Sequence, residues 1–305
     1  MSTVVQFLFF PGILFTGAAG LVTSWFDRKL TARVQMRKGP PFLQPWYDLR
    51  KLMIKEACVP EGGATWLFLS APLLGLAGAS LASMILWRAV LIPESTFAGD
   101  LIVVLYLLVL PALSMILGAF ASRNPLASLG GSREMKLILA YELPFLLAAC
   151  VVIFRVESIQ LGDILATPAA VTAPSGVLAL LVALIALQAK LTRVPFDVPE
   201  ADCELSSGVL IEYSGPPLAM YKLTQAMMLF TGPMFLLVVY CGGIPLDRGW
   251  LPAAGGAAML LGLITLGVLI RNTAPRLRID QAMRLLWGPV TFGAVLALAL
   301  VWWRA

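Results

Sequence analysis

Long apolar runs alternate with short polar stretches along the whole chain, and this alternation predicts eight membrane-spanning helices. The runs fall at roughly 4–26, 66–88, 101–121, 136–154, 175–192, 218–241, 251–270 and 284–303. Each is close to the ~20 residues a helix needs to cross the hydrocarbon core of a bilayer. The polar stretches between alternate runs, at about 27–65, 122–135, 193–217 and 271–283, carry most of the charge. The expected fold is all-α, an integral membrane protein forming a single domain over residues 1–305. No Lys or Arg precedes Arg28. A secretory signal needs a basic start, so the first run reads as a retained span.

The basic residues orient this layout. With the N-terminus outside, the inside segments hold eight at Arg28–Lys55, three at Arg123–Lys136, three at Lys190–Lys222 and four at Arg271–Arg284. That is 18 of 22, the asymmetry that the positive-inside rule describes. The large loops, basic and acidic, are therefore expected on the cytoplasmic side. Because the basic residues follow membrane topology, they point to the lipid bilayer and give no sign of nucleic-acid binding.

Composition then narrows the chemistry. Charged residues make up 13% of the chain and hydrophobic ones 59%, with a mean hydropathy of +0.88. Soluble domains carry roughly 25% charged residues. Histidine is absent, and Cys58, Cys150, Cys203 and Cys241 show no C-x-x-C spacing. That excludes histidine-ligated haem and histidine acid–base catalysis, and argues against a zinc or iron–sulfur site within the chain. No glycine-rich phosphate loop follows a strand pattern. No catalytic or metal-ligating residue, and no cofactor, is assigned to this chain.

The densest chemistry lies in RVPFDVPEADCELSSGVLIEYSGPPLAMYK, from Arg193 to Lys222. Asp197, Glu200, Asp202, Glu204 and Glu212 are five of only 17 acids in the protein. A carboxylate cluster between two spans is costly unless it faces water, protein or a proton path. Pro195, Pro199, Pro216 and Pro217 rule out one continuous helix. Asp197 and Glu200 have the spacing of a capping box, which predicts a short helix from about Val198 to Leu205. It would carry Asp197, Glu200 and Glu204 on one face. A further acid, Glu142, lies about two turns into the fourth run, just before Pro144. It reads either as a structural hydrogen-bonding partner or as a proton-path carboxylate.

The first charged loop has a turn at Gly39–Pro41 and then an amphipathic pattern from about Trp46 to Glu56. Leu49, Leu52, Met53 and Cys58 would line its apolar side. Such a loop suits partner docking or an interfacial position, beside the plainer role of setting topology and touching anionic headgroups.

Four stretches, DRKLTARVQMRKGP, LQPWYDLRKLMIKE, SLGGSREMKLILAYELPF and RVPFDVPEADCEL…EYSG, resemble the NuoH/ND1 family, a membrane subunit of respiratory complex I, and its counterparts in membrane-bound hydrogenases. The motifs occur in the family's order and extend across most of the chain. The resemblance implies a membrane foot that docks a hydrophilic redox arm on its inside face and begins a polar path toward antiporter-like subunits. It places Glu142, Asp197, Glu200, Asp202, Glu204, Glu212 and Lys222 along a proton path. Arg33, Arg37, Arg133 and Arg193 match basic positions facing the arm, and Arg28 and Lys51 join them as docking residues.

Three departures point to one branch. Gly39-Pro40-Pro41-Phe42 runs directly into Leu43-Gln44-Pro45, where quinone-reducing members have a longer loop. Gln225 stands thirteen residues after Glu212, where those members tend to carry a glutamate, with Lys222 three residues before it. No carboxylate lies between Asp163 and Asp197. These features are more similar to the energy-converting hydrogenase and formate hydrogenlyase branch. The resemblance then implies partners: [NiFe] hydrogenase large and small subunits, a ferredoxin-like iron–sulfur subunit and antiporter-like membrane subunits. A NiFe centre and iron–sulfur clusters are expected in those partners, within a bacterial or archaeal cytoplasmic membrane. The other readings are a subunit of a quinone-reducing complex I and a stand-alone ion channel or transporter.

Overall fold

The computed structural model describes residues 3–200, 208–246 and 249–303. These form twelve helices: α1 (Thr3–Leu8), α2 (Ile13–Val34), α3 (Gln44–Ile54), α4 (Thr65–Leu91), α5 (Asp100–Leu107), α6 (Leu110–Ala121), α7 (Pro125–Val156), α8 (Leu161–Ala166), α9 (Pro174–Lys190), α10 (Gly215–Cys241), α11 (Trp250–Thr273) and α12 (Ile279–Trp302). Among the described residues there is no strand. The expected all-helical membrane fold stands.

Among the described residues seven segments are long and apolar enough to cross a membrane, where eight were expected. The run that falls short is the fifth, α9, a helix of 17 residues. At ~1.5 Å per residue it spans about 25 Å, a little short of the hydrocarbon core. It stops because Thr192 takes a left-handed φ of 49°, which turns the chain out of the helix.

One boundary moves far. The fourth run was expected to begin near 136, with 122–135 as loop, yet α7 starts at Pro125 and runs 32 residues. Asn124 caps it, its Oδ1 accepting from the Leu126 N–H at 2.8 Å. Pro125 fits the first turn, where its missing N–H has no intrahelical partner to lose. This extra length carries Arg133 and Glu134 into the helix. Two other spans are interrupted: α5 passes into α6 just before Pro111, and α12 contains a π turn at Leu286–Val290 around Pro289. Proline removes a backbone donor and crowds the preceding turn in both places.

α10 is the axis of the bundle, with 89% of its most apolar window buried, against 28% for α11 and 22% for α12. It packs on α2, α3, α4 and α11, while α4, α6, α7 and α9 form a second, connected row. The approach of α2 to α10 depends on Gly20, where a Cβ would lie 2.6 Å from the Ala226 carbonyl oxygen. Helices come this close only where a small residue permits it.

Gly20→Ala is therefore expected to lower the thermal midpoint of the detergent-solubilised chain, since overpacking costs about 1–3 kcal/mol. Gly255→Ala, whose Cβ would meet nothing within 4 Å, should leave the midpoint unchanged.

Candidate functional site

The charged groups gather at the end of the bundle where α2, α9 and α11 terminate. Their organising contact is Asp27, in the last third of α2 and only 2% exposed. Arg193 Nη1 donates to its Oδ1 at 2.7 Å, and Arg271 Nη1 donates to its Oδ2 at 2.9 Å. One carboxylate thus joins the chain just after α9 to the C-terminal turn of α11. The stretch after α9 is held further by Arg276, which pairs with Asp197 at 2.8 Å, and by the Leu277 N–H, which donates to the Pro195 carbonyl at 3.0 Å. Phe196 is buried in the core between these polar anchors.

These groups line a cavity of about 790 Å³. Its walls include Asp27 and Arg28 of α2, Asp48, Leu49 and Leu52 of α3, Asp197 and Glu200, and Lys222 and Gln225 of α10. Gln225 joins Glu200 to Lys222: its Nε2 donates to Glu200 at 2.5 Å, and its Oε1 accepts from Lys222 Nζ at 3.2 Å. The amphipathic helix expected at 46–56 is α3. Leu49 and Leu52 are half-buried as expected, but Met53 and Cys58 are exposed. Met53 is not among the residues that line the cavity with Leu49 and Leu52, and Cys58 follows the end of the helix at Ile54. Arg28 fastens α3 to α2 through Asp48 at 2.7 Å, and Gln44 donates to the same carboxylate at 2.9 Å. Burial pushes the Asp48 carboxyl up, but the hydrogen bonds from Arg28 and Gln44 and the charges of Arg28 and Lys51 outweigh it. The group sits below its ordinary value.

A second cluster lies deeper, along α7. Glu134 is fully buried, and neither carboxylate oxygen has a hydrogen-bond partner among the described residues. Glu142, two turns on, is not alone: Lys190 Nζ, at the end of α9, bonds to its Oε1. The same ammonium lies over the rings of Tyr141 and Phe145, 5.3 and 4.8 Å from their centroids. Glu134 is within electrostatic reach of Glu200 on one side and of Lys190 on the other. The acids of the cavity and those of α7 therefore form one sequence of interacting groups.

Other expected site residues are placed differently. Glu212 is not among the lining residues, although its neighbours Ile211 and Tyr213 are; it accepts from Asn124 Nδ2, so the residue that caps α7 also ties down the loop before α10. The loop is fixed again by Tyr213, stacked on Phe68 at 4.1 Å and donating to the Phe68 carbonyl. Burial raises the Tyr213 phenol to about 12, so it stays a donor at any ordinary pH. Asp202, Glu204 and most of the helix expected at Val198–Leu205 lie outside the described residues. Pro199 and Gly208 bring the flanks of that stretch together: Gly208 has φ +49°, and a Cβ there would overlap the Pro199 carbonyl oxygen. Arg33, Arg37 and Lys51 are exposed, Arg133 is half-buried and partnered, and Arg193 is committed to Asp27.

Sequence reasoning missed Asp27, Glu134, Lys190 and Arg271. Glu134 was legible from the Asn124-Pro125 start signal, which lengthens the helix around it. Asp27 and Lys190 gave only a weak signal, Asp27 standing at the head of a basic run and Lys190 as a single charge at the edge of an apolar one.

An all-helical bundle with a charged cavity at one end and buried acids within it defines a multi-pass membrane protein that holds charge in its interior. Comparison with known proteins makes this specific. Residues 5–302 match the family described as NADH dehydrogenase. The NuoH subunit of the NADH-quinone oxidoreductase of Wolbachia sp. subsp. Brugia malayi is 32% identical, covering 94% of this chain and 92% of the relative. Its counterpart in Anoxybacillus flavithermus is 34% identical over 90% and 87%. Among solved structures, the membrane-bound sulfane sulfur reductase, an archaeal respiratory membrane complex, contains a chain with TM-score 0.85 and 26% identity, covering 94% of this chain and 96% of that one. The chain belongs to the NuoH family of complex-I-like membrane subunits.

The Arg28–Asp48 contact generates a pH prediction. Because the folded-state value of Asp48 is lowered, its contribution is present above the ordinary carboxylate value near 3.9 and fades as pH falls through the lower folded value. Hydrogen exchange of α3 is expected to accelerate over that acidic window, and Asp48→Asn should show the fast exchange already at neutral pH.

Proposed function

We propose that this chain is the membrane foot of a complex-I-like, membrane-bound [NiFe] hydrogenase of the energy-converting or formate hydrogenlyase type. In this reading the end carrying the cavity faces the cytoplasm and docks the hydrophilic arm. Exposed Arg33, Arg37 and Lys51 are then free to meet it, and Arg133 lies nearby on α7. The NiFe centre and iron–sulfur clusters belong to the partner subunits, and the ion moved is a proton or sodium. Redox change in the arm alters charge beside the cavity, and the acids running inward carry that change to the membrane interior.

The observation that supports coupling is the sequence Lys222–Gln225–Glu200, then Glu134, then Lys190–Glu142. Ionisable groups at membrane depth are expensive and usually functional. The hydrogenase branch is supported by the short first loop and by Gln225 with Lys222 at the cavity wall. The relatives speak for a variable acceptor within one architecture, since their names specify a quinone in one case and sulfane sulfur in another. A quinone-reducing role is the second reading. It is favoured by the cavity itself, which has apolar walls from Leu49, Leu52 and Leu229 beside its charged ones.

Metal analysis of the native complex separates the two: nickel together with hydrogen evolution from a reduced viologen is expected. Absence of nickel with quinone-dependent oxidation of a donor would establish the second reading. Within the complex, Glu134→Gln and Glu142→Gln are expected to leave assembly intact and lower the ions moved per electron by about tenfold, the usual scale of a coupling energy. Vesicle-based ion-flux measurement reads this directly, and full pumping in both variants would remove these acids from the path.

A further inference from the structure

Lys190 departs from the pattern of acids around it. It is the one buried basic residue among the described residues, and its side chain is inaccessible to solvent. It stands between two unequal carboxylates on α7. Glu142 is paired with it and keeps 18% of its side-chain surface exposed. Glu134 has no exposure and no hydrogen-bond donor among the described residues, yet lies within electrostatic reach of the same ammonium. The two acids are eight residues apart, ~12 Å along the helix axis. Tyr141 stands on the Glu134 side of Glu142 and Phe145 on the far side, and the ammonium already sits over the faces of both. Aromatic faces hold a cation without fixing it in one place, and the four-carbon stem of lysine is flexible.

Charge neutrality permits two arrangements. In the one seen, Lys190 ammonium pairs with Glu142 carboxylate. A fully buried carboxylate with no hydrogen-bond donor among the described residues is costly, so Glu134 rests there as the neutral acid. In the other, the ammonium pairs with Glu134 carboxylate and Glu142 is the neutral acid. We propose that Lys190 is a moving counterion shared by these two carboxylates, leaving Glu142 for Glu134 as a proton passes the other way. The O–H bond at Glu134 breaks and one forms at Glu142, so the three side chains carry no net charge in either arrangement. The Tyr141 hydroxyl, unpartnered and seven residues after Glu134 on the same helical face, can relay the proton with transient water. The groups facing the ammonium are Glu134, Tyr141 and Glu142 from α7, with Glu200 behind Glu134 in the stretch after α9. Glu142 is the partly exposed member, so a proton received there can leave the triad.

This inference rests on the coupling reading above, and its test keeps the two apart. In the intact complex, Lys190→Met is expected to cut ions moved per electron by about tenfold while electron transfer stays within about twofold. The charge-swapped variant Lys190→Glu with Glu142→Lys restores a pair but puts the cation on α7, where it cannot travel to Glu134. It should recover assembly and stability without recovering coupling. Recovery of full coupling by the swap, or unchanged coupling in Lys190→Met, would show a static structural pair. Infrared difference spectra on changing the redox state read the exchange without ion flux. Two carboxyl bands should change in opposite senses, one lost in Glu134→Gln and the other in Glu142→Gln, and both lost in Lys190→Met. If the unaltered complex moves no ions, the coupling reading fails, and these bands alone then decide whether the exchange occurs; their absence refutes it.

Discussion

Charge inside a poorly polarisable interior has to be neutralised by its immediate neighbours, and the arrangement of this bundle follows from that constraint. Asp27 is buried because Arg193 and Arg271 both reach it, and the two arginines hold their backbones where they are because Asp27 is there. Asp197 with Arg276, and Glu142 with Lys190, repeat the device on other pairs of elements. These contacts join segments that apolar packing alone would leave free to slide. Hydrophobic burial gathers the helices, and the ion pairs set their register at the charged end. Glu134 is the exception, a buried acid with no hydrogen-bond partner among the described residues, and an unpaired group in such a place is the natural point at which charge can change.

The helices were legible because membrane spans announce themselves through length and apolarity, two properties that need no knowledge of neighbours. The amphipathic α3 was legible for the related reason that its period shows in the order of its residues. Less visible were features decided by tertiary packing. The early start of α7 was written in Asn124-Pro125, but the arginine, glutamate and lysine that follow gave the same stretch the composition of a loop. The site was half legible: the acids after α9 and Glu142 were marked by their density and depth. Their partners were not. Lys190 meets Glu142 only when α7 and α9 lie side by side, and Asp27 meets Arg271 across 244 positions of sequence. A pairing over such a distance leaves no local trace.

Family membership fixes the architecture and leaves the electron acceptor open, and the structure gives a physical reason. The clamp around Asp27 and the packing of α10 belong to the scaffold, whereas Lys222, Gln225 and the apolar residues of α3 belong to the cavity wall. Residues of the wall can therefore vary without disturbing the clamp. The acids of α7 stand behind both, reached from the cavity through Glu200. The cavity wall and the buried acids of α7 are in this way separable parts of one chain.

The Asp27 clamp also dictates an order of assembly. A ribosome delivers Asp27 long before Arg193 and longer still before Arg271, which lie 166 and 244 residues downstream. Through most of synthesis the carboxylate therefore has neither partner, and it cannot settle into the bundle unaccompanied. The first span must wait at the membrane surface end with its acid hydrated, and it locks only when the penultimate span arrives. The clamp thus acts as a completion check in biogenesis: a chain truncated before Arg271 keeps a half-neutralised acid at the charged end of the bundle, and a quality-control protease would find that end unsealed.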